Sequence, residues 1–276
     1  MTGAATPPTI GVFDSGFGGL TVLRALIDRL PHARYAFIGD TARLPYGSKS
    51  RRTIARYAIE SAQFLVHEQG AEFLVIACNT ASALALDAIR DSVPVPVLGV
   101  IEPGAEAARA ASHTGDVLVI ATDATVQSHA YTAACHARGL QVIEKACPLL
   151  VPLVEEGWTN HPVTAEVIRI YLHELSAAAA AQHMQPDALV LGCTHYPLLR
   201  SLIQSGVAPG VQVIDSAAAA AEAAARSFPG VRAAQAGEEH TIIRCFATDS
   251  VEKFERLGSR FLGRPVGEVG LVDLGG

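Results

Sequence analysis

Two of the five cysteines stand where a thiol can do chemistry. Cys78 closes the apolar run from Phe73 to Ala77 and is followed by Asn79-Thr80. Cys193 closes Ala188 to Gly192 and is followed by Thr194-His195. Both stretches read as apolar strand, small residue, cysteine, then a polar pair opening a helix, at an offset of 193 − 78 = 115 residues. A cysteine at a helix N-terminus faces unpaired N–H groups, which favour the thiolate and lower the pKa. Buried cysteine is also a common inert core filler. Cys135, Cys147 and Cys245 lack the strand-to-helix context and are read that way. A pair of thiols has three uses. A disulfide needs Cα atoms within about 7 Å. A metal needs further soft ligands, and no Cys/His spacing supplies them, so no metal is expected. The third use is acid–base work on opposite faces of one carbon. Inverting a stereocentre removes a proton from one face and delivers one to the other. A thiolate and a thiol do this in both directions by exchanging roles, from a reference pKa of about 8.5. Asp14 and His195 are candidates to orient or deprotonate them; each also has a bland reading, as a helix cap and a backbone partner.

The elements that must position these residues follow one rhythm. Thr9–Phe13, Tyr35–Ile38, Phe73–Ala77 and Val95–Val100 are short apolar strands, each followed by a helical stretch. A second round begins near Ile101, with strands at Asp116–Ala121, Leu140–Glu144, Asp187–Leu191 and Val211–Ile214. Helices are expected at Thr125–Ala137, from Pro162 onward, at Tyr196–Gln204, at Ala217–Arg226 and at Ser250–Phe261, with a strand at Thr241–Phe246 and a flexible loop at Pro229–Glu239. The alternation predicts an α/β protein of two similar halves with mostly parallel sheets. In such sheets the carboxyl ends of the strands face the ligand crevice. Here those ends carry Asp14-Ser15, Asp40-Thr41, Cys78-Asn79-Thr80, Thr122 and Cys193-Thr194-His195, a set suited to a small polar ligand.

Composition narrows the classes further. The chain has 276 residues, half of them apolar and 17% charged, with a net charge of −6. That excludes a disordered or fibrous chain and gives no basic footprint for direct nucleic-acid contact. No apolar run reaches membrane-spanning length, and the first residues lack the marks of a signal peptide. An odd number of widely spaced cysteines suits free thiols in a reducing cytoplasm. The turn Asp14-Ser15-Gly16-Phe17-Gly18-Gly19 invites a dinucleotide reading, and Asp40 lies 22 residues after Gly18. Thr21 stands where the third glycine belongs, and Asp14 would set a negative charge beside a pyrophosphate. The loop Arg43-Leu44-Pro45-Tyr46-Gly47-Ser48-Lys49 offers N–H groups and a hydroxyl to a carboxylate, or is only a solvated turn.

Together these motifs resemble the glutamate racemases of the aspartate/glutamate racemase family. The resemblance runs from about Ile10 to Gly263 and rests on Gly11 to Gly19, Gly39 to Lys49, Ala77-Cys-Asn-Thr-Ala-Ser82 and Leu191-Gly-Cys-Thr-His-Tyr-Pro197. It implies a cofactor-independent isomerase that interconverts L- and D-glutamate and supplies D-glutamate for peptidoglycan. It implies two doubly wound α/β domains with the active site in the cleft between them. The first would take residues 1–98 and 207–276, the second 99–206. Cys78 and Cys193 would be the two bases, the first acting on D-glutamate and the second on L-glutamate. Asp14 would support Cys78; His195, with Glu155, would support Cys193. Asp14, Ser15, Pro45, Tyr46, Gly47, Ser48, Asn79, Thr80, Thr122, Thr125, Thr194 and His195 would hold the substrate. Ala121 stands where glycine is expected, which weakens Thr122 as a contact more than Thr125. A homodimer is the expected assembly. Inhibition of DNA gyrase, reported for some relatives, has no support in the sequence. The alternatives are a two-cysteine racemase of aspartate or a hydantoin, and a binding protein that kept the fold without catalysis.

Overall fold

Short apolar runs pair side by side, all in parallel, in a computed structural model that describes residues 7–228 and 241–275. The loop expected at Pro229–Glu239 lies outside the described residues. The strands are β1 (Thr9–Asp14), β2 (Arg34–Gly39), β3 (Phe73–Ile76), β4 (Val97–Gly99), β5 (Asp116–Ala121), β6 (Gln141–Ala146), β7 (Ala188–Gly192), β8 (Gln212–Asp215), β9 (Ile243–Ala247) and β10 (Val269–Leu271). One sheet has the order β10-β9-β2-β1-β3-β4 and the other β6-β5-β7-β8. The internal repeat is therefore topological: β2-β1-β3-β4 and β6-β5-β7-β8 match strand for strand. Cys78 and Cys193 follow equivalent strands, β3 and β7. β9 and β10 return from the C-terminal part of the chain to extend the first sheet beyond β2.

Helices cross between the halves. Ile101–Ala111 follows β4 but packs on β7 and β8 of the second sheet. Ser216–Arg226 follows β8 and packs along Leu20–Arg29 of the first domain and against Ile101–Ala111. Past the boundary expected at 206/207, the chain adds one more strand to the second sheet. β8 pairs with β7, Leu189 opposite Val213, so the second sheet ends only at Asp215. A single apolar cluster joins Val12 and Phe37 of the first sheet to Leu118 and Leu189 of the second. The domains share core as well as a cleft.

Three local departures have physical causes. The helix expected at Thr125–Ala137 splits into Asp123–Gln127 and Ala130–His136. Between them Ser128 Oγ donates to Thr125 O and accepts from Ala130 N, competing with helical backbone bonds, and His129 turns to φ 55°. Tyr196–Gln204 opens as a 3₁₀ turn, Tyr196–Leu199, in which Leu198 N donates to His195 O and Arg200 N to Pro197 O, before the helix Arg200–Gly206. β10 escaped the sequence reading because three residues carry no period.

Candidate active site

The carboxyl ends of both sheets open on one cavity of about 490 Å³ between the domains. Cys78 and Cys193 both line it. Ser15, Asn79 and Thr80 join them from the first domain, with Pro45, Tyr46 and Gly47 from the loop after β2. Thr122, Glu155, Thr194 and His195 line it from the second. Ser48 lies in the turn Tyr46–Ser48, but its side chain is not among the described ones. Asp14 and Thr125 are not on the wall. Both are buried one layer behind it.

On the Cys78 side, the sulfur caps the short helix Asn79–Leu84, accepting from Ala81 N at 3.4 Å and donating to Ser15 Oγ at 3.5 Å. The expected fall in its pKa does not occur. Burial, and then the nearby Asp14, push the thiol up to about 12, against the bonds from Ser15 and Ala81. A helix of six residues contributes too little to offset that desolvation. Asp14 ends β1 and accepts from Gly16 N at 3.0 Å. Burial raises its carboxyl above the usual range, against the N–H bond from Gly19 and the charge of His195.

The Cys193 side is built differently. No α-helix starts there, only the 3₁₀ turn. Its electrostatic partner is a side chain. His195 Nδ1 lies 4.0 Å from Cys193 Sγ, and Nε2 lies 3.3 Å from Glu155 Oε1. Lys253 Nζ is 3.8 Å from the other Glu155 oxygen. Burial alone would lower the imidazole pKa, but the sulfur and Glu155 outweigh it and raise His195 to about 10. Burial likewise opposes the charge on Glu155, yet His195 and Lys253 hold its carboxyl below the usual range.

The glycine-rich turn works by sterics rather than as a phosphate cradle. A Cβ at Gly18 would come within 2.4 Å of Thr194 Oγ1 and 2.6 Å of His195, and one at Gly19 within 2.5 Å of Asp14 Cβ. Thr21, where a dinucleotide fold wants glycine, donates across the domain boundary to Thr194 O at 3.0 Å. Phe17 of the same turn and Phe261 of the closing helix Val251–Leu262 pack on the His195 ring, at 6.2 and 5.0 Å between centroids. Asp40 is fully buried, and it accepts from Tyr46 Oη at 2.5 Å and Thr248 Oγ1 at 2.9 Å. It positions the loop rather than a ribose.

Hydroxyls and one amide complete the wall. Thr80 Oγ1 lies 3.1 Å from Thr122 Oγ1, which lies 2.9 Å from Thr125 Oγ1. The three hydroxyls span the two domains. Beside Ala121, Thr122 lines the cavity, while Thr125 sits behind it against Thr122 and Thr80. Sequence reasoning missed Lys253, which also lines the cavity, because an exposed-face lysine on an amphipathic helix carries no local signal. It missed Gly18 and Thr21 as cross-domain contacts for want of the partner. Among the described residues no three His, Cys, Asp or Glu side chains gather as a metal site.

A family profile described as Asp/Glu/Hydantoin racemase matches residues 20–224. A glutamate racemase from Koribacter versatilis is 53% identical over 98% of each chain. A crystal structure of a glutamate racemase isoform from Bacillus anthracis is 36% identical, with a TM-score of 0.86 over 98% of this chain and 99% of that one. A glutamate racemase from Francisella tularensis, solved with D-glutamate, is 33% identical, with a TM-score of 0.84 over 98% of each chain.

Proposed function

The chain belongs to the Asp/Glu/Hydantoin racemase family, and on that premise we propose that it is a glutamate racemase using two thiols as its acid and base. The observation that carries this reading is the pair of cysteines at equivalent strand ends, lining one cavity with unlike helpers. In the L-to-D direction Cys193 removes the α-proton. The Cα–H electron pair stays on the substrate, and Cys78 delivers its S–H proton to the opposite face. The reverse direction exchanges the roles. A thiol whose pKa is pushed up to about 12 holds its proton at neutral pH, as the donor in the first direction must. A protonated His195, 4.0 Å from Cys193, is placed to pair with a thiolate there. Asp14 and Glu155 act through neighbours. The α-carbanion is stabilised by preorganised donors: the buried Asn79 amide and the Thr80/Thr122/Thr125 cluster suit the carboxylates. Ser15, Thr194 and the Pro45–Ser48 loop complete the binding wall.

D-Glutamate from this reaction would supply peptidoglycan. Five buried free thiols suit the reducing cytoplasm, and the relatives' catalytic fold is expected as a homodimer. The test is incubation with L-glutamate in D₂O with chelator and no added cofactor. Loss of the α-proton signal together with decay of the optical signal to zero is the expected result. Exchange with aspartate or a hydantoin but not glutamate would reassign the substrate. Silence on all three would overturn catalysis and leave a binding protein.

A further inference from the structure

Asn79 carries a polar atom with no partner. Its Nδ2 is buried and unbonded among the described residues, although the residue borders the cavity. Leaving a buried donor unsatisfied costs about 1–3 kcal/mol. A side-chain amide in that position would turn over to reach a better partner unless something held it. What holds it is Tyr131 of the second domain, whose hydroxyl donates to Asn79 Oδ1 at 2.8 Å.

Tyr131 is itself immobilised. Its ring is fully buried in a slot that two glycines keep open. A Cβ at Gly192 would come within 2.9 Å of the ring, and one at Gly104 within 3.2 Å. Gly192 directly precedes Cys193, and Asn79 directly follows Cys78. One rigid side chain therefore rests against the flank of one cysteine and bonds the flank of the other, across the domain boundary. Tyrosine suits this role because its bulk fixes the hydroxyl by packing and leaves only a single proton to place.

We propose that Tyr131 is a positioning residue that locks the Asn79 amide with its oxygen turned inward and its N–H donors facing the cavity, committing that wall to a substrate carboxylate. With the opposite orientation the amide oxygen would face the ligand and repel the same group. The inference rests on the functional reading above and names a device within that site.

The test is a double-mutant cycle on the full chain with L-glutamate as substrate, following KM and kcat separately. Tyr131→Phe keeps the ring and removes only the hydroxyl. KM is expected to rise about tenfold, the scale of a hydrogen bond to a charged group, with a smaller change in kcat. In an Asn79→Ala background the same substitution is expected to change KM less than twofold, because the amide it controls is gone. A purely structural role would instead lower kcat/KM by the same factor in both backgrounds. Asn79→Asp provides a measurement independent of the tyrosine. An anion in place of the donors is expected to raise KM at least tenfold, whereas an unchanged KM would mean an acceptor already faced the cavity and would overturn the proposal. An unchanged KM in Tyr131→Phe, or an equal effect with and without Asn79, would overturn it as well. Wild-type protein inactive on glutamate would overturn the functional reading with it, so the two failures are told apart by the wild-type control.

Discussion

The two cysteine sides hold the same place in the repeat and are equipped in opposite ways. Cys78 sits at the N-terminus of a helix, bonded by an N–H and a serine, with a buried carboxylate behind it. Cys193 lacks the helix and has a His–Glu–Lys chain instead. The first surroundings keep a proton on sulfur; the second place a cation beside it. A duplicated scaffold thus supplies two symmetric positions with unlike surroundings: burial holds the proton on Cys78, and a protonated His195 stands beside Cys193. A two-base inversion needs just that, since one group must start with a proton and the other without.

Removing either thiol gives the largest expected effect. Cys78→Ala and Cys193→Ala should each lower racemisation by at least about 10³-fold. Enantiomers have equal free energies, so kcat/KM falls equally from both directions whichever base is lost. The sides are separated only by solvent exchange. Cys78→Ala should keep α-proton washout from L-glutamate and lose it from D-glutamate, and Cys193→Ala the reverse. Equal washout from both enantiomers in either variant would mean a single base serves both faces.

The neighbouring glycines sharpen the contrast, one for each side. Gly18→Ala drives a methyl into Thr194 and His195, and Gly19→Ala drives one into Asp14 and Ala77. Displacing a catalytic group by about 1 Å costs on the order of 10²-fold. Gly18→Ala is expected to slow washout from L-glutamate more than from D-glutamate, and Gly19→Ala the opposite. Measuring washout for the two variants side by side checks this, and identical profiles would show that the turn moves as one unit.

These glycines also mark what a sequence can disclose. The strand–helix alternation of two similar halves, the equivalence of Cys78 and Cys193 and the polar strand ends were legible, because period and position depend on local pattern. His195 was legible from its place beside Cys193, and Glu155 only through motif resemblance. Gly18, Thr21, Tyr131 and Lys253 were not legible as site residues, because each acts on a residue of the other domain more than 50 positions away. The direction of the Cys78 shift was misread for a related reason. The helix terminus is visible in sequence, but the burial that outweighs it belongs to the tertiary fold.

Stability against pH tests the Cys193 side alone. His195 is raised from 6.5 to about 10 in the folded protein. Its pairing therefore stabilises fully below pH 6.5 and is lost as pH rises through about 10. The Cys78 thiol, raised from 9.0 to about 12, loses its contribution in the same direction but at higher pH. Between about pH 6.5 and 9, the thermal midpoint of wild type should fall more steeply than that of His195→Asn, by roughly several degrees. Parallel curves would remove the protonated imidazole from the account of this side.

The smallest effect is expected at the outer end of the chain of charges. Lys253 is half-exposed, and its ammonium is 3.8 Å from Glu155, so the pair is of the kind worth up to about 1 kcal/mol. Lys253→Met should lower kcat/KM by about two- to fivefold at low salt. Raising the salt to about 0.5 M should shrink the difference between variant and wild type, because screening removes the interaction in both. Lys253→Arg should recover most of the loss, since the charge is restored on the same helix that presses Phe261 against His195. A loss of 10²-fold or more that persists in salt would have another cause. Lys253 also lines the cavity, and such a result would make it a direct contact of the substrate carboxylate. The two cysteine sides would then differ in which of them holds the substrate as well as in what surrounds each thiol.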